Sequence, residues 1–230
     1  MLFFNKKKME NTEVFSNYTD WHSHLLPGVD DGIKSFEDSL TILNRYEEMG
    51  VKRVWLTPHI MEDIPNTTDH LRQRFEELST AWGGQARLHL AAENMLDSIF
   101  TERLEKGDLL PIGPEQRHLL VETSYFNPPM GLHDILRSIL AAGYYPVLAH
   151  PERYVYMDMD DYEKLHEMGI LFQLNIPSLH GMYGETAQEK AKQLLKKGWY
   201  HLMGTDLHRA EALQMLVNKR VADTDIANTL

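Results

Sequence analysis

Short apolar runs alternate with longer segments of helical spacing along most of the chain. Runs rich in Val, Leu and Tyr at 18–22, 53–57, 87–92, 118–122, 146–149, 170–175 and 201–204 read as strands. Between them, apolar residues recur at three- and four-residue intervals over 35–49, 69–82, 98–106, 132–142, 160–168, 185–197 and 210–219, which predicts helices. Ser35 is placed to cap the first helix, with Asp38 three residues on to complete a capping box. Gly50 is placed to stop that helix, and Gly143, Gly169 and Gly198 stop three others just before the next strand. Seven strand–helix units in 230 residues average about 33 residues, the size of a βαβ element. Strict alternation predicts α/β architecture with a parallel sheet and outer helices. Closed up, the array is a distorted (β/α)7 barrel, a single domain with its site at the C-terminal ends of the strands. An open doubly wound sheet is the alternative. The domain is expected over 19–230, with 1–18 as a flexible N-terminal extension.

Those strand ends carry the chemistry. The first gives His22 and His24, the second His59, the third Glu93, the fourth Glu122, the fifth His150, the sixth Asn175, and the seventh Asp206 and His208. A lone strand-end histidine reads as a hydrogen-bonded structural residue. Imidazole or carboxylate at six of seven strand ends points instead to a metal site, and one of Asp30 and Asp31 in the turn-rich "LPGVDDG" joins it. A catalytic zinc uses about three protein ligands; nine candidates imply two or three divalent ions. Imidazole with carboxylate suits manganese, iron or zinc.

Composition narrows the chemistry. There is no cysteine, which excludes disulfides, thiolate metal sites and a cysteine-nucleophile phosphatase, and favours a cytoplasmic location. The net charge of −11 weighs against nonspecific nucleic-acid binding. No apolar run is long enough to span a bilayer. The opening "MLFFNKKKME" has the wrong order for a secretory signal and reads as a frayed tail. Residues 1–8, through Phe3, Phe4 and Lys6 to Lys8, offer a weak membrane-surface contact as the sharper reading.

The segments "DWHSHLLPGVDDG", "TPH", "AAEN", "LVETS", "AHPERY" and "GTDLH" resemble the polymerase-and-histidinol-phosphatase (PHP) superfamily. They resemble most its capsular-polysaccharide branch of manganese-dependent tyrosine-protein phosphatases, over about residues 19 to 210. The resemblance implies a distorted (β/α)7 barrel and a trinuclear metal centre held by His22, His24, Asp31, His59, Glu93, Glu122, His150, Asp206 and His208, with Glu122 bridging. It selects Asp31 over Asp30. It implies that Arg153 of "HPERY" binds phosphate and offers Arg209 for a second arginine. It implies hydrolysis of phosphotyrosine in a protein by a metal-activated water, the substrate being a tyrosine kinase of capsular or exopolysaccharide export. A histidinol-phosphate-type small phosphomonoesterase and a non-catalytic metal-binding regulator are the alternatives. The loops 59–69 and 124–134 are expected to wall the site with Met61, Tyr125, Phe126 and Met130. The segment 176–184 is read as a third rim loop, with Tyr183 in it as packing.

Overall fold

The pleat of each strand sorts its residues into an outer set facing helices and an inner set facing other strands. The structure is a computed structural model that describes residues 6–221. In chain order it contains β1 (Lys7–Lys8), β2 (Thr19–Ser23), α1 (Phe36–Met49), β3 (Arg53–Leu56), β4 (His59–Ile60), α2 (Thr68–Ala81) and β5 (Arg87–Leu90). There follow β6 (Glu93–Met95), α3 (Ser98–Lys106), β7 (His118–Glu122), α4 (Leu132–Ala141), β8 (Tyr145–Ala149) and α5 (Met159–Glu167). The chain continues through β9 (Leu171–Asn175), α6 (Ile176–Leu179), α7 (Glu185–Lys197), β10 (Tyr200–Gly204), α8 (Ala210–Val217) and β11 (Arg220–Val221).

All seven predicted strands form, and two of them, 53–57 and 87–92, stop short and resume beyond their predicted ends. Thr57–Pro58 separates β3 from β4, because proline has no N–H for the ladder, and Ala91–Ala92 separates β5 from β6. Pairing continues across both breaks through Ala91 N–H to Leu56 O (2.9 Å) and Glu93 N–H to Pro58 O (3.1 Å). The six-stranded sheet runs β10-β9-β8-β7-β6-β4 and the three-stranded one β2-β3-β5, every pairing parallel. The edges β2 and β10 also meet. Ser23 bridges Leu207 in parallel, and Asp206 N–H donates to His22 O at 2.8 Å.

Leu119 and Val121 pack outward against helix residues such as Leu136 and Ile139. Leu120 turns inward to meet Trp55, Ala91, Val147 and Ala149. Such strands are buried on both faces, hence their continuous apolar runs. The inward set forms an apolar plug. One pleat further along, the residues two positions after Leu120 and Ala91 are Glu122 and Glu93, both buried. The ionisable layer therefore sits directly on the plug.

The helix ends follow local rules. Ser35 Oγ accepts from Asp38 N–H at 3.1 Å, but its hydroxyl also donates to the Asp38 carboxylate at 2.6 Å, so that carboxylate does not return to the backbone as a full box would. Gly50 and Gly198 end α1 and α7 in left-handed conformation. α6 lies within the expected rim loop.

Within 1–18, the stretch expected as a flexible extension, the residues from Met9 onward pack against the rest of the chain. Met9, Val14, Phe15 and Tyr18 are buried with Leu213, Leu216 and Val217 of α8 in one core cluster. β1 pairs antiparallel with β11, and Met9 N–H donates to Lys219 O at 2.8 Å. Phe3, Phe4 and the C-terminal residues past Val221 lie outside the described residues. Among the described residues no helix is long and apolar enough to cross a membrane.

Candidate metal centre

Strand-end placement brings all nine predicted metal-seeking side chains to one site. His22 Nε2 lies 3.0 Å from His24 Nε2, and each is 3.2 Å from Glu93 Oε2. Asp206 Oδ1 completes that group at 3.4 and 3.3 Å from the two rings. A second group joins His59 Nδ1 to Glu93 Oε2 (3.1 Å) and Glu122 Oε1 (3.0 Å). In a third, Asp31 Oδ1 lies 3.5 Å from His59 Nε2 and 3.4 Å from His208 Nε2, with His24 alongside. The ligand atoms of each group lie within 4.8 Å of one another, a spacing that could hold a metal ion. Neighbouring groups share His24, His59 or Glu93. His150 Nε2 joins the cluster at 3.0 Å from Glu93 Oε1 and 4.0 Å from Glu122 Oε2.

The donor set fits cations better than it fits itself. His59 Nδ1, Glu93 Oε2, Glu122 Oε1, His150 Nδ1 and Asp206 Oδ1 are buried with no hydrogen-bond partner among the described residues. Such atoms cost free energy unless something charged or polar meets them. Burial works against charge on His22, but Glu93 and Asp206 outweigh it and push this ring up to about 9. Burial also opposes ionisation of Glu93 and Asp206; the imidazoles, His22 foremost, hold both well below the usual carboxylate range.

Outer partners aim the rings. Gln173 Oε1 lies 2.9 Å from His22 Nδ1 and accepts from His150 N–H at 3.3 Å. Asp30 Oδ2 lies 2.8 Å from His24 Nδ1 and accepts from His59 N–H at 3.1 Å. His208 Nδ1 lies 2.8 Å from Asp206 O. The ring bonds turn the opposite nitrogens of His22, His24 and His208 toward the cluster, while the bonds to His59 and His150 hold their backbone amides. The aspartate pair thus divides: Asp30 is buried behind His24, while Asp31, its side chain 65% exposed, faces the opening. Gly32 and Gly204 allow the close approach, since a Cβ on either would lie about 2.3–2.4 Å from His24 O or His22 Cβ. His150 and Asp206 hold positive φ of 33° and 51°, rare for residues with a Cβ and characteristic of over-determined functional positions.

The cluster floors a cleft of about 540 Å³ that also reaches Arg153 and Arg209. Arg153 donates from Nη1 to Asp206 Oδ2 at 2.5 Å. Its guanidinium carbon lies 4.4 Å from the Tyr125 ring centre and 4.1 Å from that of Tyr183. Arg209 is exposed at the mouth and precedes α8. Of the expected wall residues, Met61 and Tyr125 line the cleft; Phe126 and Met130 are 70% and 98% exposed and do not. Sequence reasoning passed over Gln173, the orienting role of Asp30, and Tyr183, which faces the cleft rather than packing in the rim.

The fold and site have known counterparts. The chain belongs to the capsular polysaccharide synthesis family CpsB/CapC, whose model matches residues 18–221. It is 27% identical over 212 residues to the tyrosine-protein phosphatase CpsB of Streptococcus pneumoniae, covering 84% of each chain. It is 26% identical over 211 residues to the putative tyrosine-protein phosphatase CapC of Staphylococcus aureus, covering 87% of this chain and 82% of the other. The fold is similar, with a TM-score of 0.75 and 21% identity, to a chain from the crystal structures of YwqE from Bacillus subtilis and CpsB from Streptococcus pneumoniae, described as unique metal-dependent tyrosine phosphatases. That likeness covers 91% of this chain and 84% of the other.

Proposed function

We propose that this CpsB/CapC family member is a metal-dependent protein-tyrosine phosphatase. The observation that carries the reading is one cleft with five of the nine metal-seeking side chains in its lining, the other four buried in contact with them, and Arg153 held between two tyrosines in its wall. The nine are His22, His24, Asp31, His59, Glu93, Glu122, His150, Asp206 and His208, read as ligands of two or three divalent ions. Manganese is the ion proposed first; iron and zinc share the donor chemistry. The ions would supply an activated water nucleophile and neutralise charge on the phosphoryl oxygens.

The residues of the chain do the rest. Arg153, planar and permanently charged, offers paired N–H donors to a phosphate, and its bond to Asp206 holds it at the edge of the cluster. Arg209 at the mouth adds a second positive group. Tyr125, Tyr183, Met61 and Met95 give the cleft sides on which an aromatic ring can lie. A phenolate leaving group, with a parent pKa of about 10, needs little help from a general acid.

Other parts of the reading follow from family membership and the fold. The ring of parallel pairing, with β2 meeting β10, supports a distorted (β/α)7 barrel as one domain that takes in residues 9–18 as well as the stretch from 19 on. A cytoplasmic tyrosine kinase of capsular or exopolysaccharide synthesis is the substrate proposed. With manganese loaded, kcat/KM on a phosphotyrosine peptide should exceed that on a phosphoserine peptide or histidinol phosphate by at least about tenfold. Equal or better turnover of histidinol phosphate would overturn the protein-tyrosine assignment.

A further inference from the structure

A second cleft lies between the α6–α7 region and the pairing of β1 with β11, and encloses about 690 Å³. Lys6, Lys192, Lys196, Lys219 and Arg220 line it, with Leu179 and Leu195 among them. None of these five cations forms an ion pair among the described residues. Elsewhere on the surface, Arg45, Arg74, Lys106 and Arg137 each lie within 3.0 Å of a carboxylate. In a chain of net charge −11, five cations without an ion-pair partner among the described residues thus gather in one concave place. Lys192 and Lys196 are one turn apart on α7, so their like charges share a face with no acid between them. An anionic ligand would relieve that repulsion.

A short segment links this cleft to the catalytic one. His180 lines the basic cleft and Tyr183 the catalytic one. Three residues span at most about 11 Å of chain. We infer that the basic cleft docks an acidic segment of the protein substrate while its phosphotyrosine occupies the metal centre. This rests on the phosphatase reading. An extended peptide suits the geometry, because the cations surround a groove with apolar Leu179 and Leu195 inside it. A membrane surface would call for the same charge on a flat or convex face.

The test uses the full chain and its K192E/K196E variant, both residues being exposed on α7 and outside the metal centre. Fluorescence anisotropy with an unphosphorylated Glu/Asp-rich peptide reads docking without turnover. The variant should bind at least about tenfold more weakly, and binding by the wild-type chain should weaken with added salt. The kcat/KM on a phosphotyrosine peptide with an acidic flank should fall in parallel. Turnover of p-nitrophenyl phosphate, and of a phosphotyrosine peptide with a neutral flank, should stay unchanged. Equal peptide binding by both proteins would overturn the inference. So would loss of binding to phosphatidylserine–phosphatidylcholine vesicles with peptide binding intact, which would assign the cleft to a membrane. Peptide binding that depends on the two lysines, with no phosphoester turned over by either protein, would support the docking cleft and overturn the phosphatase reading.

Discussion

Arg153 shows how one side chain answers to several neighbours. Burial penalises its charge, but Asp206 compensates and two tyrosine faces hold the guanidinium plane. Arg153→Lys keeps the charge and loses the plane and the paired donors. Its kcat/KM on phosphotyrosine peptide should fall about 10- to 100-fold, the loss expected for a charged hydrogen bond of about 1.5–3 kcal/mol, while bound metal stays unchanged. An unaltered kcat/KM would remove Arg153 from substrate binding. Gln173 tests the opposite case, since it does not line the catalytic cleft but meets the His22 ring and holds the His150 backbone amide. Gln173→Leu should weaken manganese binding about 10- to 100-fold by calorimetry, and unchanged affinity would contradict its orienting role. The histidines were legible in the sequence because strand ends repeat. Gln173 was not, because a glutamine inside an apolar strand gives no sign of which ring it will meet.

At the level of elements, the seven strands and the helices between them follow from apolar periodicity, and their order needs no tertiary information. The N-terminal segment does not follow. "MENTEVFSNY" has neither a helical nor a strand period, so nothing local announces that Phe15 and Met9 will be buried. Met9 is covered by α8 and the start of β11, more than 190 residues away in sequence, and Phe15 joins the same core cluster. Phe15→Ala should therefore lower the unfolding free energy by about 3–5 kcal/mol in a denaturant titration. A change within about 0.5 kcal/mol, typical of surface substitutions, would show instead that the segment is an appendage. Pro58 illustrates a different limit. The strand leading to His59 was evident, but the break before it reflects a missing N–H that the continuing pairing of Glu93 with Pro58 O bypasses.

Over the whole molecule, an inward apolar plug carries a layer of buried acids and imidazoles in which five polar atoms find no hydrogen-bond partner among the described residues. The sequence revealed the members of that layer. The depth to which Glu93 and Asp206 are buried, and the division of labour between Asp30 and Asp31, follow only from how the strands pack in space. Both support metal ions as the missing partners. The most direct test strips the chain with a chelator, restores manganese and follows phosphate release from a phosphotyrosine peptide, with His150→Ala alongside. The account predicts no turnover without metal, recovery on adding manganese, and at least about a hundredfold loss in the variant. Full turnover by the stripped chain, or by His150→Ala, would contradict it.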